Sequence, residues 1–158
     1  MITIDTIEQF TAHKTYALIG ASKSKNKFGN EIFKELVKKG LTVYQIHKSE
    51  PELNNAATFS NLAKLPQKTD ALIVVAKPEN GVEIVNDAIN NGIKYIWFQQ
   101  GSTNSEAIKL ANEHNITTIY GKCILMFMPP VTSIHKFHGT IVKLFNKYPK
   151  KEQLKVVK

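Results

Sequence analysis

The chain of 158 residues contains no arginine: all 21 of its basic residues are lysine, against 13 acidic ones, for a formal net charge of +8. Specific reading of DNA relies on the bidentate arginine fork, and RNA recognition on arginine stacked over bases. Its absence argues against specific nucleic-acid recognition and leaves only point-charge attraction to phosphates. Cysteine is nearly absent too. Cys123 stands alone, which rules out an internal disulfide or a multi-cysteine zinc site and fits a reducing compartment. No apolar run nears the ~20 residues that cross a bilayer. The start, Met1-Ile-Thr-Ile-Asp-Thr, lacks the basic opening and long apolar centre of a signal peptide. A soluble cytoplasmic protein with no membrane partner is expected.

What is present reads as one domain. Hydrophobic residues make up 42% of the chain, enough for a single core over residues 1–158. Apolar runs predict strands at Thr15–Gly20, Leu41–Ile46, Asp70–Ala76, Lys94–Phe98 and Ile116–Tyr120. Amphipathic spacing predicts helices at Asp5–His13 (capped by Asp5 or Thr6), Gly29–Lys39, Pro78–Asn91 and Ser105–Glu113, with Gly40 and Gly92 as stops. Ser60–Leu65 reads as a helical turn, Ser49–Asn55 as turn-rich, and Gly121–Val131 as an apolar segment packed on the domain. A last helix is expected over 133–148, with a lysine-rich tail over 149–158. Its stripe of Ile134, Phe137, Ile141, Leu144 and Phe145 either covers a sheet face or makes a homodimer seam.

This alternation predicts an α/β fold, a Rossmann-like, doubly wound five-stranded parallel sheet of order 3-2-1-4-5 flanked by helices. In such a sheet the ligand sits outside the carboxyl ends of the strands where the order reverses, here between strands one and four.

The stretch Tyr16-Ala-Leu-Ile-Gly-Ala-Ser-Lys-Ser-Lys-Asn-Lys-Phe-Gly29 lies at that edge. A strand that stops at Gly20 and feeds a helix near Gly29 through a tight loop aims backbone N–H groups and the positive helix end at one spot, which favours an anion. Lys23, Lys25 and Lys27 add charge around it. An ordinary βα connection with solvated lysines is the plain alternative.

A nicotinamide-binding Rossmann half would carry G-x-G-x-x-G after the first strand and an acidic residue ending the second. Neither is present: after Gly20 the next glycine is Gly29, and the second strand ends in His47-Lys48. A lysine there suits a ribose phosphate better than a neutral ribose. NADP and coenzyme A both remain.

Four loops together then carry a resemblance: Gly20-Ala-Ser with its polar loop and Phe28-Gly29, Val74-Val-Ala-Lys-Pro78, Trp97-Phe-Gln-Gln-Gly101, and Lys122-Cys123. In register over roughly residues 10 to 125, they resemble the small stand-alone CoA-binding proteins, similar in turn to the N-terminal CoA-binding domain of the succinyl-CoA synthetase alpha subunit. The resemblance implies that Gly20, Ala21, Ser22 and the Lys23–Lys27 loop hold the CoA phosphates. It further implies that Ala76, Lys77 and Pro78 line the adenine and ribose, and that Gln100 and Gly101 border the pantetheine arm. Where that family has an Asn-Pro pair after the second strand, this chain has His47-Lys48, with Lys48 supplying charge to a phosphate.

Catalytic groups are sparse. Of His13, His47, His114, His135 and His138, only His47 falls at the expected ligand edge, as a surface or ligand-contacting residue rather than a base. His135 and His138 stand at i and i+3 with no third ligand, so no metal site is assigned. No paired carboxylate ends a strand. Cys123 reads as a small buried hydrophobe, or as a partner for the CoA thiol under oxidation. The resemblance thus implies binding of coenzyme A or an acyl-CoA without catalysis. The alternatives are a small NADP-binding oxidoreductase, and a protein-interaction domain that kept the fold and lost the ligand.

Overall fold

The computed structural model describes residues 2–128, so the expected helix over 133–148 and the tail over 149–158 lie outside the described residues. A helix, α1 (Ile4–Thr11), opens the chain, capped by the hydroxyl of Thr3, which accepts from the Thr6 N–H, rather than by Asp5 or Thr6 themselves. The sequence then alternates as expected through β1 (Thr15–Ile19), α2 (Phe28–Lys38) and β2 (Thr42–Ile46). Two strands that the composition hid, β3 (Glu52–Leu53) and β4 (Ala56–Phe59), follow, and then β5 (Ala71–Val74), α3 (Gly81–Asn90), β6 (Tyr95–Phe98), α4 (Ser105–Glu113) and β7 (Thr117–Ile119). Short 3-10 turns occupy Leu62–Lys64, Pro78–Asn80 and Ile124–Met126. The Ser60 turn and the first residues of the Pro78 helix therefore wind tighter than an α-helix. Gly40 and Gly92 stop their helices at φ 76° and 73°, the left-handed conformation that glycine adopts without strain.

The class expected from the sequence holds, an α/β fold with a mostly parallel sheet flanked by helices, but the sheet has seven strands rather than five. Its order is β3-β4-β2-β1-β5-β6-β7. The third expected strand, β5, lies beside β1 and not beyond β2, so the order 3-2-1-4-5 is corrected. Two physical reasons account for this. The outer edge of β2 is taken by β4, which pairs with it in parallel after the chain has turned through the antiparallel β3–β4 hairpin. In addition, β5 (Ala-Leu-Ile-Val) is buried along its whole length, whereas β2 (Thr-Val-Tyr-Gln-Ile) is exposed at its start. A strand buried on both faces belongs at the centre. The reversal of order consequently falls between β1 and β5, not between the first and fourth strands.

The turn-rich character of Ser49–Asn55 in the sequence is the Asn54-Asn55 turn of this hairpin. Both residues are left-handed, at φ 53° and 58°. Two consecutive residues of this kind make the tight turn whose twist matches a hairpin, and asparagine is the side-chain-bearing residue that tolerates it best.

Each face of the sheet has its own core. Ala17, Leu72, Val74, Ile96 and Phe98 pack with Val85, Ala88, Ala107 and Ala111 from α3 and α4. On the opposite face Phe10 of α1 meets Tyr16 and Trp97 at ring-centroid distances of 5.5 and 5.3 Å. Trp97 is fully buried and donates its indole N–H to the Lys122 carbonyl at 3.1 Å. Tyr16, also fully buried, donates to the carbonyls of Phe10 and His13, each at 3.0 Å.

Burial holds the Tyr16 phenol well above its ordinary pKa. The folded state keeps that proton at pH values where the unfolded chain gives it up. Stability from this group is therefore complete below about pH 10, the unfolded value, and is lost as pH rises beyond it. Tyr16→Phe keeps the ring and removes the proton. It is expected to cost about 1 kcal/mol at pH 7 through the lost hydrogen bonds, with a gap to wild type that narrows above pH ~10. Urea unfolding across pH 7 to 11 measures this, and a constant gap would contradict it.

Candidate functional site

Every strand of the parallel part of the sheet sends its carboxyl end toward one edge, and the loops after β1, β2, β5 and β6 gather there. The first of these is set by backbone contact. Gly20 has φ 122°, and a Cβ placed on it would lie 2.1 Å from the carbonyl oxygen of Val75 at the end of β5. A Cβ on Gly29 would lie 2.1 Å from the carbonyl oxygen of Gly20. No side chain fits at either position. The two glycines seat the first turn of α2 directly on the ends of β1 and β5, where the strand order reverses. Lys27, the N-cap residue of α2, makes no side-chain capping bond, so the positive end of the helix faces the loop without a protein cap.

The loop is held in shape by a residue that the sequence reading missed. Asn30 is 2% exposed, and all of its amide capacity is used. Its oxygen accepts from the Ser22 N–H at 2.9 Å and from the Asn54 amide at 3.0 Å. Its nitrogen donates to the carbonyls of Ser22 and Ser24, both at 2.9 Å. Asn54 also donates to the side-chain oxygen of Gln45 at 2.8 Å, and Gln45, fully buried in β2, donates to the Leu53 carbonyl at 2.7 Å. A buried polar chain thus ties the β1–α2 loop to the β3–β4 hairpin. The sequence signal was available: Asn30 and Gln45 are polar residues on otherwise apolar faces, which marks a partnered buried group.

The expected site residues fall at this edge as follows. Ala21 is buried, Ser22 half-buried, and Lys23, Lys25, Lys27 and Phe28 are exposed. Lys23 pairs with Glu50 at 2.7 Å; Lys25, Lys27 and Lys34 have no acidic partner among the described residues. His47 folds its own loop, Nδ1 accepting from the Glu50 N–H at 3.1 Å. Lys48 reaches across to α3 and pairs with Glu83 at 2.7 Å. The Glu83 hydrogen bond and charge push the Lys48 ammonium pKa up. The Ala76 N–H donates to the hydroxyl of Ser102 at 3.1 Å. Lys77 and Pro78 are exposed beyond it, and so are Gln100 and Gly101, the latter at φ 83°. Gln99, which the sequence reading passed over, is buried and accepts from the Ile124 N–H at 3.1 Å. It thereby anchors the segment that contains Cys123, a half-buried residue. Among the described residues no His, Cys, Asp and Glu gather as a metal site, and no helix is long and apolar enough to cross a membrane.

A cavity of about 490 Å³ opens between the loop and the hairpin, lined by Ser22, Lys23, Lys25, Asn30, Lys34, Glu52, Leu53, Asn54 and Asn55. Its volume lies within the range of small-molecule sites.

This edge also lies inside the span that comparison with known proteins assigns. Residues 14–129 match the family model described as a CoA binding domain. The chain belongs to the CoA binding domain family. A curated relative, the ADP-forming acetate–CoA ligase I of Archaeoglobus fulgidus, is 26% identical over 130 residues, 76% of this chain and 19% of the ligase. The matched part of the chain thus spans about a fifth of that relative's length. Among solved structures, a conserved hypothetical protein from Pyrococcus furiosus is 29% identical, with a TM-score of 0.68 over 72% of this chain and 97% of its own. A hypothetical protein from Pyrococcus horikoshii is 28% identical, with a TM-score of 0.73 over 78% and 88%. Sequence similar to this chain's therefore recurs both within a long ligase and in much shorter chains.

Within this CoA binding domain Asn30 is the residue on which the loop's shape depends. Asn30→Ala leaves the Ser22 N–H, two carbonyls and the Asn54 amide without their partner. A loss of about 2 to 3 kcal/mol is expected, with faster hydrogen exchange at the Ser22 amide than in wild type. Unchanged exchange there would show that the loop holds its form by other means.

Proposed function

We propose that this chain binds coenzyme A, free or as an acyl-CoA, at the carboxyl edge of the parallel strands. The reading rests on one observation above the others: the family match covers the edge at which Gly20 and Gly29 bring an uncapped helix start onto the strand ends. An anion placed there meets backbone N–H groups and the helix dipole in a setting prepared before binding. Gly20, Ala21, Ser22, Lys23, Lys27, Phe28 and Gly29 surround the ligand's phosphates. Ala76, Lys77 and Pro78 flank its nucleoside, and Gln100 and Gly101 border the pantetheine arm. His47 and Lys48 shape the rim next to them. Lys48 reaches a ligand only by leaving Glu83.

We read the edge as a binding site rather than a centre of turnover. The Nδ1 atoms of His13 and His114 lie 3.0 Å from the carbonyls of Phe10 and Leu110, and that of His47 accepts from its own loop. In each of these three histidines Nδ1 faces nearby backbone. The activity of the ligase belongs to a protein about four times as long, and we assign this chain only the binding of a CoA-type ligand.

A ligand that binds only the folded state raises its stability by about 2.7 kcal/mol at a concentration 100 times its dissociation constant. CoA is therefore expected to raise the melting temperature well above the shift given by equal NADP or NAD. Native mass spectrometry of the freshly purified protein should show the mass of one CoA. Equal thermal shifts for all three nucleotides would overturn the assignment, and a larger shift with NADP would favour a nicotinamide-nucleotide protein instead.

A further inference from the structure

We propose that the outer edge of β7, at the opposite end of the sheet from the β3–β4 hairpin, is a second binding site, which takes a small neutral molecule with an amide edge: a nucleobase lactam or a carboxamide. A cavity of about 370 Å³ opens there between α1 and the end of α4, within the roughly 300 to 1,000 Å³ of small-molecule sites. The strands β5 and β6 separate it from β1 and the loop that follows. This site is independent of the CoA reading.

The cavity lining holds no lysine, histidine or carboxylate, although the chain carries a net charge of +8. A charged ligand would lose water there and meet no counter-ion, so the wall selects a neutral one.

At its centre the strand presents a backbone donor and acceptor side by side. The Thr117 N–H donates to the Lys94 carbonyl at 2.9 Å, and Thr117 and Ile119 stand in register with Tyr95 and Trp97 of β6. Successive residues of a parallel strand bond to opposite sides, so the N–H and C=O of Thr118 point away from β6 and into the cavity. Because β7 is the outermost strand, these two groups have no partner among the described residues. One amide edge, with its N–H beside its C=O, satisfies both at once. A longer extended chain gains no further pair, since β7 has three residues and Thr118 is the one turned outward.

Side chains with unused capacity surround the pair. The hydroxyls of Thr117 and Tyr120 and the amide of Asn115 make no hydrogen bond among the described residues. Asn112 accepts from the Thr118 hydroxyl at 3.4 Å through its oxygen and keeps its amide hydrogens free. Tyr120 is 38% exposed, which leaves a ring face for a planar ligand to stack on. The end of α4 points the same way. Left-handed glycines, Gly40 and Gly92, follow α2 and α3, whereas the left-handed residue after α4 is Asn115, at φ 58°. Glycine takes that conformation without strain and asparagine does not. What the asparagine adds is an amide on the cavity wall.

Titration of the full chain followed by heteronuclear NMR tests the site, with uracil and nicotinamide as probes. N,N′-dimethyluracil and N,N-diethylnicotinamide serve as controls that keep ring and carbonyl but lack an amide N–H. Saturable shifts are expected at the Thr118 amide and not at that of Ser22, and they should persist when CoA is added. Each control should bind about tenfold more weakly than its parent. Binding of uracil alone identifies a nucleobase site, and binding of nicotinamide alone a carboxamide site. Asn115→Gly should weaken the bound probe about fivefold while keeping the melting temperature of wild type, because glycine suits the helix stop. Tyr120→Ala should weaken it as well. The proposal is overturned if neither probe shifts the Thr118 amide, if the shifts fall at Ser22 instead, or if the controls bind as well as their parents. It is also overturned if Asn115→Gly and Tyr120→Ala both bind like wild type.

Discussion

Three stretches of backbone meet where β1 ends, β5 ends and α2 begins, and they approach more closely than any side chain allows. Gly20 and Gly29 are the two positions that permit the approach. Because α2 rests on the strand ends rather than above them, its first turn is delivered to the point where the sheet reverses direction, and the loop between the glycines must arch outward. The outward arch creates the loop wall of the cavity, and the position of the helix decides which charges can reach it. A methyl group at either glycine would displace the helix from the strands, and the loop with it.

The arch by itself would be slack, since residues 22–27 have few buried apolar groups to hold them. Its order comes from amides. Asn30, Asn54 and Gln45 form a chain in which a helix, a turn and a strand each contribute one side chain, and every bond ends on a backbone group or on another amide of the chain. Buried polar groups of this kind specify geometry more than they add stability, because the competing arrangement leaves a donor or acceptor unpaired. The hairpin thus lines the candidate site although none of its residues belongs to the four loops that carried the resemblance.

The parallel strands and the helices between them were legible because burial on both faces makes near-continuous apolar runs and the helices keep a 3.6-residue stripe. Strand order was not, since order depends on which edge of β2 is free, and that depends on a four-residue strand and a turn made of two asparagines. The close approach at Gly20 and Gly29 could be read directly, because a strand-glycine-loop-glycine-helix pattern brings backbone onto backbone. Asn30, Gln45, Gln99 and Lys34 were not singled out. The first three act through buried partners that only the folded chain brings near, and an exposed lysine on a helix looks the same in sequence whether or not it lines a cavity. Lys48 was legible only in part: its charge was visible, but its partner Glu83 is distant in the chain.

The hairpin that closes one side of the sheet has a further effect on how the molecule meets its own copies. Among the described residues the sheet ends in β3, two residues long, on one side and in β7, three residues long, on the other. A long, flat outer strand offers a row of unpaired amide groups to any extended chain, whereas two or three residues offer too few to hold one. In β3 the tight Asn54-Asn55 turn adds strong twist next to the edge. Among the described residues the sheet, whose central strands are among the most apolar segments of the chain, thus presents only short outer strands to strand addition.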